Sequence, residues 1–138
     1  MCKYVERAQE LRNRTDVKIN CAQAIAMSFA ESAGVTEEAA MRFAAGFGGG
    51  MRRGAACGAV TGGLMVLGLF GISDPETLGQ YHEQIRERHE GMLDCADLLR
   101  VIERTGEPKK QYCDAIIREC VTVVEKILQE KGCFDKNL

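Results

Sequence analysis

Apolar residues recur every three or four positions along most of the chain, which is the spacing of one face of an α-helix. Val5, Ala8 and Leu11 indicate the first helix, over residues 3–13. The last predicted helix covers about residues 109–131 and carries Ile116 and Val124 on its apolar face. No segment keeps an apolar–polar alternation of period two, which strands would require. The pattern therefore predicts an all-α protein.

Capping residues place the boundaries of the other helices. Asn20, Thr36, Asp74 and Asp94 each precede an apolar-periodic segment and are residues that accept hydrogen bonds from a first helical turn. They predict helices from 20 to 34, from 36 onward, from 74 to about 91, and a short one after 94. A glycine-rich loop precedes a further helix that begins after Cys57 and is apolar enough to be buried. We expect one domain, residues 1–138, built as a bundle of six or seven helices.

Length and charge exclude several classes of protein. With 138 residues, 46% of them hydrophobic, the chain can form one packed core. A net charge of −2 with both signs mixed argues against nucleic acid as a partner. The apolar stretch at residues 55–72 is too rich in glycine for membrane insertion, and the charged N-terminus does not resemble a secretory signal. We expect a cytoplasmic protein.

Seven cysteines are unusual in that compartment. An odd number in a reducing environment argues against a fixed disulfide scaffold, so redox chemistry, metal binding and simple burial remain. Four of them fall at or near predicted helix N-termini: Cys21, Cys57, Cys95 and Cys113. Helix N-termini lower thiol pKa values and suit both nucleophiles and metal-bound thiolates. Because no CxxC pair is present, a joint site would have to be assembled by the fold.

Cys57 has the most suggestive surroundings. It lies in the glycine-rich residues 46–63, and Arg52 and Arg53 precede it closely. Glycine permits tight turns and a close approach of the backbone to a sulfur or its ligand. The arginines could bind an anion or help to hold a thiolate, and solvated surface charge explains them equally well.

The other three cysteines have simpler explanations. Cys120 lies on the apolar face of the last helix, seven residues after Cys113, and is expected to fill the core. Cys2 and Cys133 lie near opposite ends of the chain and are expected to be incidental.

The order of these segments resembles the C-GCAxxG-C-C family, small bacterial proteins described as redox-active because of four separated cysteines. The resemblance covers nearly the whole chain. NCAQA at residues 20–24 resembles the first cysteine segment, and GFGGGM at 46–51 with CGAVTG at 57–62 resembles the central signature. DCADLL at residues 94–99 resembles the third segment, and Cys113 the fourth.

The resemblance implies a redox function at Cys21, Cys57, Cys95 and Cys113 but names no reaction or substrate. One hypothesis is a four-thiolate iron–sulfur cluster, most plausibly [2Fe–2S], with Gly58 beside it, which passes electrons to a redox partner protein. Larger redox proteins with a similar module beside haem support this by analogy. A four-thiolate zinc site would use the same ligands, although structural zinc usually has close cysteine pairs.

Two alternatives remain open. In a thiol–disulfide protein or redox sensor, Cys57 would be the low-pKa nucleophile, and Cys21, Cys95 or Cys113 would resolve the mixed disulfide. In a helical interaction module, all the cysteines would only pack. The abundant small residues would also suit a homodimer. The residues do not decide whether the protein is an enzyme.

Overall fold

The computed structural model describes residues 3–133. Its regular elements are helices, as predicted. Seven α-helices follow one another in this range: α1 (Lys3–Arg12), α2 (Cys21–Ala30), α3 (Glu37–Ala44), α4 (Gly58–Leu69), α5 (Pro75–Arg86), α6 (Cys95–Thr105) and α7 (Lys109–Glu130). The expected all-α bundle of six or seven helices is confirmed.

Three of the four predicted capping residues cap their helices, whereas Asp94 precedes α6 without a side-chain hydrogen bond to its first turn. Asn20 forms a reciprocal cap with Gln23: the Gln23 N–H donates to Asn20 Oδ1 at 2.8 Å, and the Asn20 N–H donates to Gln23 Oε1 at 2.9 Å. Thr36 and Asp74 each accept from the backbone N–H three residues later, at 3.0 Å and 2.9 Å. These bonds satisfy donors that a helix start otherwise leaves unpaired. They fix where α2, α3 and α5 begin.

The fifth helix is shorter than predicted. It ends at Arg86, and the polar residues that follow form turns instead of a last helical segment. Glu90 and Gly91 adopt left-handed backbone angles, with φ of 55° and 82°, which end any helical run. The chain then reaches the start of α6 with its backbone extended at Asp94.

Two helices organise the bundle. Helix α2 packs against α1, α3, α4 and α7, and α7 packs against α1, α2, α4, α5 and α6. Helix α4 lies between them and is buried along most of its length, as its apolar sequence predicted. Because each of these helices contacts several others, the positions of their N-termini are set by the whole bundle.

The core consists of a large and a small apolar cluster. The large cluster joins helices α1, α2, α4, α5, α6 and α7 and contains Phe29, Leu67, Tyr81 and Val124. The small cluster includes Leu11 and packs the other side of α2 against α1 and α3. Side chains of α2 take part in both, so this helix is fixed on two sides, and Cys21, its first residue, is fixed with it.

None of the helices within residues 3–133 combines the length and the apolar character needed to cross a bilayer.

Candidate functional site

Four cysteines from four helices line one cavity of about 1250 Å³: Cys21, Cys57, Cys95 and Cys113. Cys21 and Cys95 are the first residues of α2 and α6, and Cys57 directly precedes α4. Cys113 lies one turn into α7. The fold therefore brings together the four cysteines that the sequence singled out, although they are far apart along the chain.

A glycine lets Cys21 approach Cys57. Gly58 follows Cys57 and also lines the cavity. A Cβ atom at Gly58 would overlap the sulfur of Cys21 and would lie 2.9 Å from the carbonyl oxygen of Phe47. Only glycine allows the Cys21 side chain to lie directly against the start of α4.

A short backbone bridge joins the segments of Cys57 and Cys95. The Cys57 N–H donates to the Leu93 carbonyl at 2.9 Å, and the Cys95 N–H donates to the Ala55 carbonyl at 2.7 Å. Ala56 and Asp94 pair across this antiparallel bridge. Two cysteines that are 38 positions apart thus lie in neighbouring, hydrogen-bonded segments.

Arg12 connects the segments of Cys21 and Cys113. Its Nε donates to Asp114 Oδ1 at 2.8 Å, and its Nη1 donates to the Ile19 carbonyl at 2.9 Å. Asp114 follows Cys113, and Ile19 lies two residues before Cys21. The Arg12 and Asp114 side chains are only 15% and 13% exposed. A largely buried ion pair therefore holds α7 beside the start of α2.

The loop before Cys57 is held in an unusual conformation. Four successive residues, 49–52, have left-handed backbone angles with φ between 60° and 64°. Two of them, Met51 and Arg52, are not glycine, and such residues rarely adopt this conformation. A hydrogen bond of 2.8 Å from the Ala55 N–H to the Gly50 carbonyl closes the turn. Non-glycine residues in rarely populated backbone regions cluster at functional sites.

Cys95 lies against this turn. A Cβ atom at Gly50 would lie 2.6 Å from the Cβ of Cys95 and 2.5 Å from the Ala55 carbonyl oxygen, so only a glycine fits there. The turn thus forms the wall of the cavity at Cys95, as Gly58 forms it at Cys21.

Burial decides the protonation of Cys57. The residue is 7% exposed, and desolvation raises the pKa of its thiol to about 12, with a further increase from Cys21. Hydrogen bonds from the N–H groups of Ala59 and Val60 lower the pKa but do not outweigh burial. The expectation that the helix N-terminus gives Cys57 a low pKa is therefore wrong.

The other cavity thiols influence one another. Burial raises the pKa of Cys95 and of Cys113, and the neighbouring Cys21 raises both further. Since these effects require proximity, Cys21 is near all three of the other cysteines. With their pKa values raised, Cys57, Cys95 and Cys113 are protonated when no ligand replaces the proton.

Within residues 3–133, no group of three or more His, Cys, Asp or Glu side chains is arranged to hold a metal ion. The six cysteines of this range are free thiols. The four cysteines therefore line one cavity but do not form a ready-made metal site within these residues.

The remaining cysteines lie outside the cavity lining. Cys120 is fully buried and interacts with the hydroxyl of Tyr81, so the expectation that it fills the core is confirmed. Cys133 is partly buried and packs against the large core cluster. Cys2 lies outside the described residues.

Sequence reasoning missed the residues that assemble the site. From the sequence alone, Arg12 is an ordinary charged residue at the end of the first predicted helix, and Asp114 is one within the last. Their pairing across 102 positions left no local pattern. Lys18 and Lys109 also line the cavity and carry no motif. By contrast, Gly50 and Gly58 lie within the glycine-rich residues 46–63 that the sequence singled out, although the sequence did not show which residues they contact.

Comparison with known proteins supports the sequence resemblance. The model of the family described as "Putative redox-active protein (C_GCAxxG_C_C)" matches residues 19–127, a range that includes all four cavity cysteines. No curated protein and no solved structure matches the chain.

Proposed function

We propose, from the premise that this chain belongs to the C_GCAxxG_C_C family, that the four cavity cysteines act together as one electron-transfer site. The observation that carries the proposal is that four thiols from four helices line one cavity. Simple packing does not require cysteines of separate segments to share a cavity. The family description supplies the redox character, and the geometry supplies the residues.

An iron–sulfur cluster of the [2Fe–2S] type suits this set of donors. Such clusters take four cysteine thiolates, and Cys21, Cys57, Cys95 and Cys113 would be the ligands. A single zinc ion would use the same four thiolates, but structural zinc sites usually contain close cysteine pairs, which this sequence lacks. When bound, the cluster supplies a one-electron couple.

The protein around the thiols fits an anionic group. Every charged side chain that lines the cavity within residues 3–133 is basic. Iron-bound thiolates carry negative charge, and nearby cations favour the thiolate over the thiol. Gly58 keeps the start of α4 open beside Cys21. Backbone N–H groups near cluster sulfurs tune the reduction potential, and the N-terminus of α4 presents such groups.

The thiol–disulfide alternative is less well supported. A nucleophilic cysteine needs an appreciable fraction of thiolate, whereas burial raises the pKa of Cys57 to about 12. The pKa values of Cys95 and Cys113 are also raised by burial. A metal removes these protons because thiolate–metal bonds offset the cost, whereas exchange in the free protein has no such compensation.

Anaerobic purification tests the proposal. We expect the purified protein to be brown, with iron and acid-labile sulfide in equal amounts, and to be reduced by one electron. Cys57→Ser should lose the colour and the iron. Cys133→Ser is the matched control, because this cysteine does not line the cavity, and it should keep both.

A colourless protein with four titratable cavity thiols and no iron would contradict the cluster. If its redox titration then required two electrons and depended on Cys57, the thiol–disulfide function would replace it. If Cys57→Ser changed neither the redox titration nor the metal content, only the packing function would remain.

A further inference from the structure

The cavity is strongly one-sided in charge. Although the chain has a net charge of −2, seven of its 18 basic residues line the cavity, and no Asp or Glu of residues 3–133 does. The seven are Arg12, Arg14, Lys18, Arg52, Arg53, Lys109 and Lys110. A mixed surface would place both signs around an opening of this size. The charge is therefore a property of this site and not of the protein as a whole.

Three of these cations form ion pairs with acidic residues that do not line the cavity. Arg12 and Lys110 both bind Asp114, at 2.8 Å each. Arg14 binds Asp16 at 2.6 Å. Asp114 neutralises at most one of the two cations that share it, and the Arg14–Asp16 pair is exposed, so these pairs lower the positive charge of the cavity without removing it.

The other four cations have no side-chain partner among the described residues. Lys18, Arg52, Arg53 and Lys109 form no ion pair or side-chain hydrogen bond there. All four are exposed at the rim. They come from three separate parts of the chain, so local sequence does not explain their grouping. Unpaired cations repel one another, and an anion between them would remove that repulsion.

The cations lie close to the sulfurs. Lys109 is near enough to Cys95 and Cys113 to favour the thiolate form of both. Arg52 and Arg53 are carried by the left-handed turn whose Gly50 packs against Cys95. A ligand that binds these cations would therefore lie beside the redox site.

The cavity also offers an apolar surface and enough room. Its lining includes Val17, Ile19, Leu99 and Ile116. A volume of about 1250 Å³ exceeds that of most small-molecule pockets, about 300–1,000 Å³. A site with cations on its rim and aliphatic side chains in its wall suits an organic anion with an apolar portion. Its concave shape favours a small molecule over the surface of a protein.

We infer that the cavity binds a small organic polyanion beside the four sulfurs, with Lys18, Arg52, Arg53 and Lys109 contacting its phosphate or carboxylate groups. This inference does not rest on which group the cysteines hold. The cations are not ligands of a cluster, so the anion site exists without iron. A bound cluster would add negative charge to the cavity, and we therefore expect the anion to bind more tightly to iron-free protein.

Titration calorimetry on the full-length protein tests the inference. Inorganic pyrophosphate and citrate are the two probes, since they carry phosphate and carboxylate charge on small molecules. We expect at least one of them to bind at low ionic strength, and the stronger of the two identifies the anionic group. Removing two cations with Arg52→Gln/Arg53→Gln should weaken that binding by about tenfold.

A matched double variant controls for net charge. Arg88→Gln/Lys126→Gln also removes two exposed cations, neither of which lines the cavity, and it should bind the probe as the wild type does. Equal weakening in both variants would overturn the inference, because binding would then reflect overall charge. Failure of both probes to bind would overturn it too. Polyglutamate is titrated as a third compound, and if it bound while pyrophosphate and citrate did not, the cations would instead recognise an acidic protein partner.

The same titrations on iron-free protein separate this inference from the proposed function. Probe binding without any cluster would support the anion site and leave it standing if the cluster proposal fails. A protein that holds a cluster but binds neither probe would support the proposed function and overturn the anion site.

Discussion

Two glycines of helix α4 each make room for a side chain of another helix, with opposite consequences. Gly58, the first residue of α4, admits the Cys21 thiol at the cavity. Gly63 admits the Tyr81 ring in the core, where the tyrosine hydroxyl donates to the Val60 carbonyl at 2.8 Å. Tyr81 is fully buried and has a partner, whereas Cys21 is partly exposed at the wall of a cavity.

On helix α4, Gly63 therefore serves stability, and Gly58 serves the cavity. The packing at Gly63 is complete, so a change there should cost folding energy and affect the site only through unfolding. At Gly58 an added side chain would meet the Cys21 thiol, which is partly exposed at the cavity, and the Phe47 carbonyl. A change there should therefore move a thiol at the site as well as reduce stability.

The largest loss of stability is expected from Gly63→Ala. A Cβ at this position would overlap the Tyr81 hydroxyl and ring, which are enclosed on all sides. Overpacking together with the disturbed hydrogen bond should lower the free energy of unfolding by about 3 kcal/mol. Urea unfolding measures the change.

Two further variants control this prediction. Gly68→Ala lies on the same helix with no atom within 4 Å of the added Cβ, and it should stabilise by up to about 1 kcal/mol. Adding Tyr81→Phe to Gly63→Ala removes the hydroxyl and should restore part of the loss. Equal stability of Gly63→Ala and the wild type would contradict the close packing of the Tyr81 ring against Gly63.

Arg12→Gln should have the second largest effect and should reach the cavity. It breaks a largely buried ion pair with Asp114 and leaves that carboxylate with Lys110 alone. We expect a loss of about 2 kcal/mol in the free energy of unfolding, together with reduced iron content, because α7 is no longer held beside α2.

The control for Arg12→Gln is Arg14→Gln, which removes an exposed pair with Asp16. It should change neither stability nor iron content appreciably. An Arg12→Gln protein with wild-type iron content would show that the ion pair stabilises the fold without positioning Cys113.

Gly58→Ala should lower the free energy of unfolding less than Gly63→Ala does, but it should reduce the iron content more. The added methyl group would displace the Cys21 thiol, which can move toward the cavity, and would also press on the Phe47 carbonyl, so we expect a loss of about 1–2 kcal/mol. Bound iron should fall sharply, as measured by colour and by iron analysis.

Combining Gly58→Ala with Cys21→Ala tests the cause of that loss. Removing the sulfur should restore much of the stability, while the iron stays absent. If the double variant were no more stable than Gly58→Ala, contact with the Phe47 carbonyl and not with the thiol would be responsible.

The smallest effect is expected at the start of α5, the helix that carries Tyr81. Hydrogen bonds from the Thr77 side chain and backbone N–H lower the pKa of Asp74 below its ordinary value of 3.8. A lowered folded-state pKa stabilises the protein above that value and ceases to do so as the pH falls through the folded-state pKa.

Asp74→Asn should therefore melt slightly below the wild type at pH 7, and the difference should shrink below pH 3.8. Thermal melts between pH 7 and pH 3 measure it. A difference that stays constant over this range would mean that the carboxylate charge contributes nothing and that the side-chain oxygen alone caps the helix.

The sequence alone determined the helices and singled out the four cysteines that line the cavity. Periodicity and caps depend on neighbours along the chain, so Asn20, Thr36 and Asp74 marked helix starts that the structure confirms. The four cysteines at or near helix N-termini, and the glycine-rich signal around Cys57, were likewise visible as local patterns.

Tertiary structure decided how those residues meet and what their chemistry is. Local reasoning gave Cys57 a low pKa because it saw only the helix terminus, whereas burial by distant helices raises the pKa to about 12. The Arg12–Asp114 pair and the cations around the cavity join parts of the chain that no periodic pattern links. Burial, ion pairing and enclosure depend on which segments pack together, and that is a property of the whole fold.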